Sequence, residues 1–243
     1  MNFTNAQFHF EPRHVLIQPE NICDDEKLSL FSQLLSDCSE NTVVIDPDLI
    51  KYFFEDFREE SHRAYSDLCN EFFEYILSKD KKRKIVYFTG GGSGSGKSEI
   101  IVNSLVNSNF NGFVLDRTLA VLDYAVQDID LALKYGNIAK VHGIVTDIEK
   151  AFIFNLKRFQ KTGRRVPLNI FIDKHLGFIK TFPLLINYYN NNPNVEFTLT
   201  DNRKISGLYE TNDKDDICDI LKPLQYDRKI LEMKLVEINN SFE

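Results

Sequence analysis

Eight consecutive residues, Gly91-Gly92-Ser93-Gly94-Ser95-Gly96-Lys97-Ser98, limit what this chain can fold into more than any other feature. They match G-x-x-x-x-G-K-[ST] in full, and the odds of such a match by chance are on the order of one in a hundred for a chain this long. The flanks agree with the match. The apolar run Ile85 to Thr89 (IVYFT) reads as a strand and the following EIIVNSLV is helix-compatible, so a helix is expected from about Lys97 to Val106. Glycines let successive backbone N–H groups turn inward around anionic oxygens, and a helix N-terminus adds partial positive charge. Gly91, Gly92, Ser93, Gly94, Ser95 and Gly96 are therefore candidate phosphate ligands. Lys97 would reach the β and γ phosphates of ATP, and the Ser98 hydroxyl would ligate Mg²⁺. A flexible Gly/Ser linker would explain neither the lysine nor the ordered flanks.

Around this loop the hydrophobic period alternates between two and 3.6. Helices are expected at Asp24 to Leu35, from Leu49 onward, Ser66 to Leu77, Val121 to Tyr135, Ile148 to Gln160, Leu168 to Leu185 and Asp227 to Ile238. Strands are expected at Thr42 to Ile45, Gly112 to Leu115 and Lys140 to Val145, with a hairpin of Glu196 to Thr200 and Lys204 to Tyr209. Repeated strand–helix units imply an α/β fold with a parallel sheet flanked by helices, of the P-loop kinase-like kind, closed by a C-terminal hairpin and helix. No linker divides the chain. It reads as a single domain over 1–243, with a helical extension over 1–40, a core over 42–210 and a C-terminal helix over 211–243.

Composition narrows the partners. Lys and Arg number 29 against 36 Asp and Glu, a net charge of −7, which makes sequence-blind nucleic-acid binding unlikely, although Lys81 to Lys84 form a local basic run. The four cysteines show no C-x-x-C spacing and fit a reduced, cytoplasmic compartment. Neither a membrane span nor an ordinary secretory signal is visible. The guanine-reading order N-K-x-D is missing, and a single cradle in a short chain disfavours a large mechanical ATPase. A small-molecule kinase leads.

Strand ends of a parallel sheet share one edge, where ligands bind. Asp46 and Asp48 of Ile45-Asp46-Pro47-Asp48, and Asp116 and Thr118, stand at two such ends. Asp48 is the first choice for the carboxylate that accepts the acceptor hydroxyl's proton, with Asp46 the alternate. Arg158, Arg164 and Arg165 offer guanidinium groups for the transferring phosphate, and Glu71 offers a carboxylate for a substrate hydroxyl. Each has a plainer reading: D-P-D as a helix cap, the arginines as a solvated face, and Glu71 as an exposed helix residue.

Together VVIDPDLIK, the cradle GGSGSGKS, FVLDRT, FNLKRFQKTGRRVP and EFTLTDNRKISGLYET resemble the zeta toxin family of P-loop kinases, the toxins of epsilon/zeta toxin–antitoxin modules. The resemblance covers about residues 42 to 210. It implies transfer of the ATP γ-phosphate to a sugar hydroxyl of a nucleotide sugar, typically the 3′-hydroxyl of UDP-N-acetylglucosamine, and a helical antitoxin partner. It assigns Asp48 as catalytic carboxylate, Lys97 and Ser98 as ATP and Mg²⁺ groups, and Arg158 and Arg164 as phosphate-stabilising arginines beside Arg165. It puts Glu71, Asp116 and Thr118 on the substrate side. In the family the cradle precedes the I-D-x-D strand; here the order is reversed, and a shared strand edge would let the site survive the exchange. The competing readings are a nucleotide-binding interaction or effector protein without kinase activity, and a kinase of a dinucleotide cofactor, a polynucleotide end or a protein.

Overall fold

The structure, a computed structural model, describes residues 22–37, 41–50, 54, 62–82, 84–108, 110–162, 166–203 and 207–242. Chain order runs α1 (Asp24–Asp37), β1 (Thr42–Ile45), α2 (Pro47–Ile50), α3 (His62–Lys79), β2 (Ile85–Gly90), a π-turn (Ser98–Val102), α4 (Asn103–Asn107) and β3 (Gly112–Asp116). It continues through α5 (Leu122–Lys134), β4 (Ile138–Val145), α6 (Ile148–Thr162), α7 (Leu168–Tyr188), β5 (Val195–Asp201), β6 (Tyr209–Thr211), α8 (Lys214–Leu221), a 3₁₀ turn (Lys222–Leu224) and α9 (Arg228–Phe242).

The strands form one sheet in the order β1-β3-β2-β4-β5-β6, parallel except for β6. Ile45 pairs with Leu115, Leu115 with Phe88, Phe88 with Val141 and Val141 with Phe197, so five strands run in one register row. Their carboxyl ends therefore fall on a common edge. β1 arrives from the N-terminal side of the cradle strand yet lies two positions from it, on the far side of β3. The reversed chain order leaves Asp46 level with Asp116.

Alternate strand residues separate into two cores, as the pleat requires. Val43, Ile45, Val86, Phe88, Phe113, Leu115, Ala139 and Val141 enter the large cluster with α3, α5, α7 and α8. Val44 and Val114 meet Val102 and Leu105 on the opposite face. In α7 the spacing Phe171, His175, Phe178, Phe182, Leu185 lays one buried stripe down the helix. Its Phe178 ring comes to rest against Gly90 and Gly143, so α7 lies directly over the end of the cradle strand. A separate small core joins α6, α7 and α9 through Phe152, Leu156, Phe171, Leu231 and Leu235.

Several boundaries differ from expectation. α2 starts at Pro47 rather than Leu49, because the first helical position needs no N–H and suits a fixed φ. The helix after the cradle opens as a π-turn, with the Asn103 N–H reaching back to the Ser98 carbonyl. β6 occupies Tyr209–Thr211, so it runs two residues past the expected end at Tyr209, and residues 204–206 of the expected strand lie outside the described residues. The C-terminal region holds two helices instead of one, since Asp213 caps α8 by accepting from the Asp216 N–H. Among the described residues no helix is long and apolar enough to cross a membrane.

Candidate functional site

The cradle hangs from β2 and is closed by its own lysine. Lys97 Nζ donates to the carbonyls of Gly91 (2.8 Å) and Gly92 (3.0 Å), which ties the first half of the loop to the helix that follows it. An ammonium carries three donors, so one remains for an anion. Burial pulls the Lys97 pKa down. Asp116 and Asp46 pull it back up, while Arg158 and Lys174 press it further down. Two carboxylates and two further cations thus lie within electrostatic reach of this ammonium.

Neighbouring strands supply the rest. Thr89 Oγ donates to Asp116 Oδ1 at 2.5 Å, and Ser98 Oγ donates to Asp116 Oδ2 at 3.0 Å, so both oxygens of one carboxylate are bracketed by hydroxyls on either side of the loop. Thr118 enters through its main chain, its carbonyl accepting from the Gly91 N–H at 3.1 Å. Gly94 has φ +75° and would press a Cβ to 2.6 Å from the Ala151 carbonyl of α6, so glycine is required there although the motif allows any residue. Gly92 is restricted differently: a Cβ would lie 2.2 Å from the ring of His175.

Three observations fit this loop to a polyphosphate with its divalent cation. The glycines hold it where side chains would not fit, Lys97 keeps a donor in reserve, and Ser98 and Asp116 pair a neutral oxygen with a carboxylate oxygen of the kind that holds Mg²⁺. Ser95 Oγ is in addition buried with no hydrogen-bond partner among the described residues.

Of the other residues marked in the sequence, Asp46 ends β1 next to Asp116, as the register dictates. Asp48 lies in α2, and its side chain falls outside what is described. Arg158 is exposed on α6, two turns beyond Ala151. Arg164 and Arg165 lie outside the described residues. Glu71 is drawn away from the strand ends: on the outer side of α3 it accepts from Lys27 of α1 at 2.9 Å. Its chain neighbour Asn70 is the residue of that turn that reaches the edge, where its side-chain carbonyl accepts from Arg117. Arg117 also lies 3.5 Å from Asp128 of α5.

Sequence reading missed Lys174 and His175. The place of His175 in the apolar stripe of α7 is the available signal: a polar residue on that stripe must find a partner inside. That partner is the cradle. His175 Nε2–H donates to the Ser93 carbonyl at 2.9 Å, and its ring packs at a tilt of 40° against Phe171 with centroids 4.5 Å apart.

Residues 101–214 match the family model described as zeta toxin. No curated protein matches the chain in sequence. Among solved structures, a chain from the PezAT chromosomal toxin–antitoxin system of the human pathogen Streptococcus pneumoniae superposes with a TM-score of 0.51 at 12% identity, over 93% of this chain and 97% of that one. The AvrRxo1-ORF1:AvrRxo1-ORF2 complex with sulphate ions gives 0.50 at 10% identity, over 72% of this chain and 76% of that one. The same pair with ATP gives 0.50 at 10% identity, over 88% and 82%. At these identities the likeness is one of fold.

Proposed function

We propose, from the premise that this chain belongs to the zeta toxin family, that it is an ATP-dependent kinase which transfers the γ-phosphate to a hydroxyl of a nucleotide sugar or related nucleotide. The observation that carries this reading is the closed cradle: Lys97 on the Gly91 and Gly92 carbonyls, with Ser98 Oγ resting on Asp116. Neither a linker nor a purely structural turn needs a half-buried ammonium with a donor in reserve beside a hydroxyl–carboxylate pair.

In this reading the loop's amides, other than that of Ser95, which donates to the Gly92 carbonyl, bind the phosphates together with the Lys97 ammonium. Ser98 and Asp116 would hold Mg²⁺, which when bound neutralises charge on the terminal phosphates. Asp116 thereby moves from the acceptor to the metal side of the site, since its carboxylate already accepts from the Ser98 hydroxyl. Arg158 and Arg164 stabilise charge on the transferring group, as the resemblance assigns them, with Arg165 the adjacent candidate and Lys174 joining from α7. The carboxylates at the end of β1 serve the acceptor: Asp48 takes the hydroxyl proton, and Asp46 orients the same hydroxyl from the strand end. The acceptor enters over the ends of β1 and β3, beside Thr118. A nucleotide sugar such as UDP-N-acetylglucosamine is the acceptor class that the family implies, and the solved relatives' toxin–antitoxin and two-protein complexes support a protein partner for this chain as well.

The test is direct. Purified protein is incubated with ATP, Mg²⁺ and a panel of nucleotides and nucleotide sugars, and products are followed by mass for the addition of one phosphoryl group. A phosphorylated nucleotide sugar is the expected product. If ATP binds and no metabolite in the panel gains a phosphoryl group, the kinase reading gives way to a nucleotide-binding interaction protein.

A further inference from the structure

From α7, in the sheet's cover, the His175 side chain reaches the carbonyl of Ser93 in the middle of the cradle, and nothing in the motif calls for it. We propose that His175 is a positioning residue of the cradle, which holds the Ser93–Gly94 peptide so that its N–H faces the bound phosphates.

The argument begins with the peptide itself. A trans peptide is planar, with its C=O and N–H pointing in opposite directions. Lys97 fixes the first two peptides of the loop by their carbonyls, which leaves the third, between Ser93 and Gly94, to be set by something else. Gly94 at φ +75° and Gly92 give this stretch little intrinsic stiffness, and glycines lose the most freedom on being ordered. His175 Nε2–H takes the Ser93 carbonyl at 2.9 Å on the α7 side. The Gly94 N–H must then point the other way, into the loop. The imidazole is itself fixed. It is buried to 5% exposure, packs at a tilt against Phe171, and occupies the volume where any side chain at position 92 would project. Because a carbonyl can only accept, the tautomer is the neutral Nε2–H form. Burial, aided by the nearby Lys97 ammonium, holds the imidazole neutral.

This inference rests on the cradle being a polyphosphate site, and its test separates the two. Binding of a fluorescent ATP analogue with Mg²⁺ is measured for wild type, His175→Leu and His175→Gln. Leucine keeps the packing without a donor, whereas the glutamine amide can place its N–H near the Nε2 position. The expected result is about a tenfold weaker Kd for His175→Leu and near-wild-type affinity for His175→Gln, with equal melting temperatures for the two apo variants. Wild-type affinity in His175→Leu, or an equal loss in both, overturns the positioning role while leaving the kinase reading intact. A wild-type chain that binds no Mg-nucleotide overturns both. A measurement on the unaltered protein guards against misfolded variants: the imidazole ¹⁵N spectrum at neutral pH should show Nε2–H with bare Nδ1, and an Nδ1–H tautomer or an imidazolium refutes the contact.

Discussion

Lys97 and His175 are cationic-type side chains beside one loop, the first half-buried and the second buried, yet the loss of solvation acts on them to different ends. For Lys97 the loss of solvation lowers the pKa, and the two carboxylates Asp116 and Asp46 counter it, so the site is poised for an anion that would complete the compensation. Lys97→Ala removes both the loop's closure and the cation; turnover should fall on the order of a hundredfold or more, and unchanged steady-state rates would refute the role given to Lys97. His175 is pushed down to about 4 from an ordinary 6.5, chiefly by burial. Its folded-state value lies below the unfolded one, so between pH 6.5 and 4 the unfolded chain takes up a proton that the folded chain refuses. The stability tied to neutral His175 is thus fully present above about pH 6.5 and lost as the pH falls towards 4, a loss of about 3 kcal/mol at most. Urea unfolding at pH 7 and pH 4.5 should show a smaller acid loss in His175→Gln than in wild type. Carboxylates and His142 contribute alike to both proteins, so identical acid losses would show that His175 is not buried as described.

At the scale of elements, the strands were readable because their apolar runs are short, β-branched and closed by polar turns. TVVI ending in Asp46-Pro47 and GFVL ending in Asp116 both became strands at the expected places. Their neighbours in the sheet were not readable, because pairing depends on contacts far apart in sequence, and only the register reveals that Asp46 comes level with Asp116. The cradle could be proposed residue by residue, since its motif is written in consecutive positions. The supports brought by α3, α6 and α7 were not, because Asn70, Ala151 and His175 approach the site through tertiary packing alone. Glu71 shows the opposite case: one residue of helical rotation from Asn70 sends it to Lys27 on the outside. α9 deserves its own test as a remote support. Leu231 and Leu235 seal the core shared by α6 and α7, and Lys234–Glu149 and Arg228–Asp173 ion pairs tie α9 to those two helices. Leu235 is fully buried, so Leu235→Ala should cost about 2–5 kcal/mol in chemical denaturation. A loss below about 0.5 kcal/mol, the range of surface substitutions, would mean that α9 is not seated there.

For the molecule as a whole, the cradle is where otherwise separate parts meet. Its eight residues touch β3 through Asp116 and Thr118, β4 through the Ile144 carbonyl near Gly91, α6 through Ala151 and α7 through His175. α7 in turn belongs to both cores, with Phe171 and Ile172 in the smaller and Phe178 and Phe182 in the larger. A ligand that orders the loop should therefore stabilise both cores together. Binding to the folded state alone adds about 2.7 kcal/mol when the free ligand is a hundredfold above its Kd. In a chain of this size that corresponds to about 5–10 °C in Tm. Thermal unfolding with saturating Mg-ATP should accordingly show one transition displaced upward by that amount, with Mg²⁺ alone giving much less. Two transitions, of which only one moves with nucleotide, would divide the chain into separate folding units and break the link drawn between the cradle and the α6–α7–α9 core. The absence of any shift at millimolar Mg-ATP would instead remove the cradle as a nucleotide site, since a ligand that binds the folded chain alone adds its binding free energy to the folded state.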